Sequence, residues 1–357
     1  MTLRIVDGDA HLLEGAEFII ELMEAHPDKV QFQSTGGISG AVIEGKRFPN
    51  STGKGCGVDA PTSITLKANN PFEPQGIIAD ADREGIAVMV CYPSLGIGAT
   101  AFDDLTFADD FARRWNRWAA RFCGRAADRR LRAVGIVPLP DPARAARMVE
   151  EIAALGLVAV TVPTGLRDGR NLDHPSFEVV WSAVEAAGLP VGVHGAPGMH
   201  VPVPGADRFD NYVQVHALSF PFDQMIALTA LTLGGVLERH PKLRVAFLES
   251  GVGWVPYFLE RLDEHFEKRG HQVPECKRPP SEYAARGQCI FSCEPEEQGI
   301  AFAAAALGAD KIMYASDYPH WDSDFPNTVA PIRDRDDLSD AAKAEILGGT
   351  AARLYGV

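Results

Sequence analysis

Asp9 and His11 stand two residues apart behind the short apolar run Leu3–Val6, in Asp7-Gly8-Asp9-Ala10-His11. On an extended strand, side chains two apart point to the same side, so this pair presents a carboxylate and an imidazole together. Groups of the same kind end other apolar runs. They are His194 in Val-Gly-Val-His-Gly-Ala-Pro, Glu249 in Val-Ala-Phe-Leu-Glu-Ser-Gly, and Asp317 in Ile-Met-Tyr-Ala-Ser-Asp-Tyr-Pro-His. Any of these at the tip of a buried strand is costly unless paired or metal-bound. Each alone reads as structural; together, behind four separate runs, they predict one metal centre. Mixed carboxylate and imidazole ligands suit zinc, manganese or iron better than calcium.

Three further groups join the candidates. His216, in Val-Gln-Val-His-Ala-Leu-Ser-Phe-Pro-Phe-Asp, is either a plain surface-loop histidine or a ligand reaching in from a loop. His320, three residues beyond Asp317, reads as a partner that orients Asp317. Asp7 shares the facing of Asp9 and reads as a supporting carboxylate. His26, His174, His240, His265 and His271 lie among charges and prolines and read as surface residues. Leu95-Gly96-Ile97-Gly98 reads as pocket wall rather than phosphate cradle. No Gly-x-Ser-x-Gly is present to support a serine-hydrolase elbow.

The elements that must position these groups alternate. Apolar runs near Ile5, Val90, Ile136, Val160, Val193, Ala246, Phe291 and Met313 read as eight buried strands, several closed by proline. Helical patterns lie between them, among them Leu105–Cys123, Pro142–Leu155, Phe177–Ala187, Phe222–His240 and Trp254–Glu267. This rhythm predicts a parallel sheet, and eight units predict a (β/α)8 TIM barrel whose polar groups gather at the carboxyl ends of the strands. A doubly wound sheet is the alternative, but no Gly-x-Gly-x-x-Gly follows the first strand. The Gly- and Pro-rich stretch 31–74 follows strand 1 and reads as an insertion over the active-site mouth, a lid or an oligomer contact. The whole chain, 1–357, reads as one barrel domain carrying it.

Composition narrows the function classes. The chain has 357 residues, a net charge of −14 and 46% hydrophobic residues. That charge disfavours nucleic acid and anionic membranes as partners. No apolar run is long enough to span a bilayer. The six cysteines include no Cys-x-x-Cys pair, and the N-terminus lacks a signal-peptide core. A reduced, cytoplasmic setting is expected, with a small-molecule substrate and a homo-oligomer, such as a dimer.

Asp7-Gly8-Asp9-Ala10-His11, Val193-His194-Gly195, the run Gly234–Trp254 and Ser316-Asp317-Tyr318-Pro319-His320 resemble the amidohydrolase-related family. This branch of the amidohydrolase superfamily contains aromatic-acid and amino-muconate-semialdehyde decarboxylases. The resemblance implies a metal held by Asp9, His11, His194 and Asp317. It also implies a histidine after the sixth strand, where this chain has Glu249. That departure resembles a smaller branch of non-heme dinuclear-iron hydroxylases. It implies two irons, or iron with manganese, on Asp9, His11, His194, His216, Glu249 and Asp317. O2 would then hydroxylate an unactivated C–H bond of a small or terpenoid acid against Phe220 and Phe222. Glu249, His216 and His320 are the catalytic candidates. The alternative is a mononuclear zinc or manganese decarboxylase or hydrolase of a carboxylic acid or amide.

Overall fold

The computed structural model describes residues 3–35, 38–50, 67–126 and 128–357. Twelve strands occur among them: β1 Ile5–Leu12, β2 Val30–Thr35, β3 Ile38–Ile43, β4 Lys46–Phe48, β5 Ile86–Pro93, β6 Leu131–Ala133, β7 Gly135–Ile136, β8 Val160–Pro163, β9 Val191–His194, β10 Val245–Phe247, β11 Cys289–Cys293 and β12 Ile312–Tyr314. Pairing is parallel in the orders β1-β5-β6 and β7-β8-β9-β10-β11-β12. β6 and β7 are one barrel strand interrupted at Val134. There the amide of Val134 donates to Cys91 O on one side, and that of Gly135 donates to Ala159 O on the other. The ring closes where Asp317 N donates to Asp9 O at 3.0 Å and His11 N donates to Tyr318 O at 2.7 Å. The eight predicted strands are therefore the staves of a (β/α)8 barrel.

Two cores follow from the period-two alternation of the strands. Val6, Val88, Val90, Val134, Ala246, Leu248, Ile290 and Met313 fill the barrel interior. Leu354 and Tyr355 of the closing helix Thr350–Tyr355 continue this core and seal the end away from the ligand groups. Outside the ring, helices pack on the opposite faces. Leu105–Gly124 starts where the Asp104 side chain accepts from the amides of Thr106 and Phe107, and it buries Trp115 and Trp118. Asn116 on this helix exchanges both amide hydrogen bonds with Ile136, at 3.1 and 2.7 Å. It thereby pins the helix to the end of the broken stave.

Several expectations need correction. The helix expected over Phe222–His240 begins ten residues earlier, as Tyr212–Leu233, and continues through Pro221. Within stretch 31–74, β2, β3 and β4 form an antiparallel meander, and residues 67–73 are turns and bends. Residues 51–66 of that stretch, Cys56 among them, lie outside the described residues. His240 is buried rather than superficial, with Nε2 2.8 Å from Glu178 Oε1. The other five cysteines are free and buried. Among the described residues no helix is long and apolar enough to cross a membrane.

The sealed end can be tested at Gly348, whose added Cβ would lie 2.0 Å from the backbone oxygen of Arg4. Neither backbone can yield without moving β1. Gly348→Ala is expected to destabilise by about 1–3 kcal/mol or more in urea unfolding. Gly124→Ala, at an exposed helix end with open space around the Cβ, is expected to be neutral or slightly stabilising.

Candidate metal centre

Local backbone features aim the ligand groups. In β1, Asp7 pairs with Met89 and Ala10 with Cys91, so one extra residue bulges between them. A bulge changes which side chains share a face. It turns Asp9 and His11 together toward the rim and leaves Asp7 facing away. Asp7 instead accepts from Ser316, through both the amide and the hydroxyl. Its role is to tie β1 to the last strand, not to support a ligand directly. Glu249 and Asp317, just beyond β10 and β12, both adopt left-handed backbone conformations, with φ of 49° and 51°. Such residues are strained when not glycine and concentrate at functional sites.

The imidazoles are oriented by the backbone. His11 Nδ1 donates to Pro93 O at 3.0 Å, and His194 Nδ1 donates to Gly195 O at 2.6 Å. A carbonyl only accepts, so each ring turns Nε2 to the centre. The two Nε2 atoms lie 3.3 Å apart. Glu249 Oε1 is 2.9 Å from that of His11 and 3.1 Å from that of His194. Asp317 Oδ1 and Asp9 Oδ1 lie 3.3 and 3.7 Å from His11 Nε2. Donors about 2.0–2.2 Å from one ion, at roughly 90–110° to one another, stand about 3.0–3.5 Å apart. The observed separations fit one shared cation. Both carboxylate oxygens of Asp9 are buried and accept no hydrogen bond among the described residues. A divalent ion would satisfy them.

The charge balance points the same way. Burial pushes Asp9 well above the usual carboxylate range; His194 opposes this and Glu249 adds to it. Burial and then Glu249 also raise Asp317. Burial acts likewise on Glu249, but the His194 and His11 imidazoles overcome it and hold Glu249 well below its ordinary range. Burial disfavours the charged form of His194, yet Glu249 and Asp9 outweigh it and raise the group to about 9. These opposed directions share one cause: buried carboxylates without a permanent cation. A bound metal supplies that charge and displaces the imidazole proton.

Two four-residue groups have donor atoms close enough to hold an ion: Asp9, His11, His194 and Glu249; and His11, Glu249, Asp317 and His320. They share His11 and Glu249, so they form one continuous patch. His320 is wedged within it. Its Nδ1 donates to Asp317 Oδ1 at 2.7 Å, and its Nε2 accepts from Ser94 Oγ at 3.0 Å. Burial keeps this ring neutral. His216 is not brought into either group. It sits on the helix Tyr212–Leu233 rather than a loop, with Nε2 3.6 Å from Asp322 Oδ2. It does line the cavity above the patch, as do Ser94, Phe220, Trp321 and Asp322. Phe222 points away and is exposed.

Sequence reading missed Ser94, Asp322, Glu14 and Gln224. Ser94 directly follows the proline that closes β5 and could have been found by that position. Asp322 ends the stretch that carries Asp317 and His320. Glu14 and Gln224 leave no sequence signal. Glu14 accepts from the amides of Leu95 and Gly96 and from Trp115 Nε1, shaping the cavity wall. Gln224 Nε2 donates to Val193 O at 2.8 Å and to Leu248 O at 3.0 Å, bracing the residues just before His194 and Glu249.

An orphaned buried carboxylate costs stability until a cation meets it. Metal-free Asp9→Asn protein is expected to melt no lower than metal-free wild type. On adding manganese, the wild type should gain stability with concentration and the variant should gain far less. Thermal melts with and without a chelator read both effects.

Comparison with known proteins bears on the family and the fold. A 2-amino-3-carboxymuconate-6-semialdehyde decarboxylase of Dictyostelium discoideum is 28% identical over 212 residues, covering 58% of this chain and 55% of that protein. The chain thus spans little more than half of that curated relative. An amidohydrolase from Mycobacterium avium subsp. paratuberculosis K-10 superposes with a TM-score of 0.82 at 24% identity, over 100% of this chain and 99% of the other. A 5-carboxyvanillate decarboxylase from Novosphingobium aromaticivorans, solved with manganese and a nitrobenzoic acid, superposes with a TM-score of 0.70 at 20% identity, over 100% and 97%. The family description "Amidohydrolase" (Amidohydro_2) matches residues 6–357, nearly the whole length, and the chain belongs to that family.

Proposed function

We propose that the protein is a decarboxylase of a carboxylic acid that works with one divalent metal, manganese or zinc. The observation that carries this reading is the continuous donor patch made by Asp9, His11, His194 and Glu249 and by His11, Glu249, Asp317 and His320. It lies at the floor of a cavity whose described lining contains no lysine or arginine. The relatives that are decarboxylases by name support this reading over the hydroxylase expectation.

When bound, the metal would act as a Lewis acid that holds an oxygen of the substrate. Asp9, His11, His194 and Asp317 would hold it. The described lining offers the substrate carboxylate no lysine or arginine and sets Glu249, Asp317 and Asp322 near it, which favours its conversion into neutral carbon dioxide. The bond from the carboxyl carbon to the substrate breaks, and its electron pair stays on the substrate carbon. That carbon then takes a proton. Glu249 reaches both the donor patch and the cavity, and we assign its carboxylate, held ionised beside His11 and His194, as the group that relays a solvent proton to that carbon. His320, fixed between Asp317 and Ser94, keeps the Asp317 carboxylate oriented.

Metal-depleted protein should be inactive and regain activity with about one manganese or zinc per chain. Carbon dioxide release should match substrate loss and continue without oxygen. Two irons per chain with oxygen consumed in step with turnover would instead establish the hydroxylase. Glu249→Gln is expected to lower kcat by about 10²–10⁴-fold. Mass spectrometry in D2O would show whether the product's new hydrogen comes from exchangeable protons.

A further inference from the structure

We infer that the natural substrate is a monocarboxylic acid with a bulky apolar body and no second anionic group. This deepens the proposed function and rests on its metal site, but not on the fate of the carboxylate. The cavity above the donor patch has a volume of about 820 Å³. At ~30 Å³ per water it would hold roughly 27 waters, and a single-ring acid of about ten non-hydrogen atoms would leave most of it wet. Pockets of this size bury ligands of drug-like bulk.

The chemistry of the walls is one-sided. Polar groups gather at the donor end, where Glu249, Asp317, Asp322 and the histidines lie. The far walls are built of groups such as Ile19, Met23, Phe48 and Met199. The one carboxylate among them, Glu14, is consumed by its bonds to Leu95, Gly96 and Trp115. A second substrate carboxylate would therefore meet no lysine or arginine in the described lining, and it would lose its hydration without a partner. At the mouth, Ile20 and Phe32 are each 53% exposed and Phe72 is 43% exposed, all on this one cavity. Apolar side chains grouped and exposed on one site mark a binding surface. An extended apolar ligand reaching from the metal would cover them.

The test is a binding series on manganese-loaded protein with butanoate, octanoate, dodecanoate and dodecanedioate, read by isothermal calorimetry. Affinity is expected to rise about three- to fourfold per methylene along the monoacids, which corresponds to ~0.8 kcal/mol per buried CH2. Dodecanedioate should bind at least about tenfold more weakly than dodecanoate. Removing manganese should weaken all the monoacids by one common factor. Met23→Asp, at a half-buried wall position, should weaken dodecanoate about tenfold and leave butanoate unchanged. Affinity independent of chain length, dodecanedioate binding as tightly as dodecanoate, or dodecanoate binding that ignores the metal would each overturn the inference. A series that behaves as expected on a protein that releases no carbon dioxide would overturn the proposed reaction alone.

Discussion

The rim of the barrel is governed by negative charge that no lysine or arginine among the described residues neutralises. Several carboxylates elsewhere are paired in the ordinary way. Glu238 takes two hydrogen bonds from Arg278, Asp104 meets Lys29, and fully buried Asp80 accepts from Arg83 and Tyr318. At the rim, Asp9, Glu249 and Asp317 converge without a lysine or arginine, and Asp322 stands close behind. Glu294, in the same field, is raised to about 8 by burial and by the Glu249 charge. Burying unpaired charge is among the most expensive arrangements a protein can hold. A divalent cation converts that cost into affinity, because every group that repels its neighbours in the free protein becomes a ligand or a ligand's partner.

The remainder of the fold prepares that convergence. The seam between β1 and β12 brings Asp9 and Asp317 together through one backbone hydrogen bond, and the bulge in β1 sets the facing of Asp9 and His11. Two carbonyls, those of Pro93 and Gly195, fix the rings of His11 and His194. Left-handed backbone at Glu249 and Asp317 turns both carboxylates inward just after their strands end. These devices are local and rigid, and ligand sets that need placement within a fraction of an ångström are best built that way. The insertion meander is joined to the barrel by polar ties. Glu44 accepts from the amides of Asp103 and Asp104, His200 Nε2 donates to Arg47 O, and Asn50 N donates to Gly198 O. It thus serves as a fixed wall of the cavity.

The staves and their order were readable because buried parallel strands are short apolar runs, and each ended at a proline, glycine or charged residue. The donor set was readable for the same reason: a charge behind an apolar run breaks the expected pattern. The bulge in β1 was not readable, because it depends on the pairing partner, and so Asp7 was given the wrong facing. His216 reads as a loop residue from sequence because Pro221, five residues on, is a poor fit to a helix interior. In fact the helix begins at Tyr212, capped by the Asn211 side chain, and carries Pro221 in its interior. The meander was hidden by its glycines, which weaken any strand pattern. Gln224 and Glu14 act through backbone atoms far away in sequence, and no spacing rule reaches such contacts.

Glu249 is where the resemblance and the structure pull hardest on each other, since the family pattern implies a histidine there. A histidine would add another neutral donor to a rim already holding three imidazoles, those of His11, His194 and His320. A carboxyl group instead carries either a proton or a charge, and its position between His11 and His194 makes that choice depend on whether positive charge is present nearby. Both donor groups include His11 and Glu249, so this carboxyl group stands at the middle of the patch. The cavity above it is lined mainly by apolar groups such as Ile19, Met23 and Phe48, so charge at the rim is answered by few groups besides the imidazoles. A negative charge on Glu249 is stabilised where it stands, 2.9 and 3.1 Å from the imidazoles of His11 and His194.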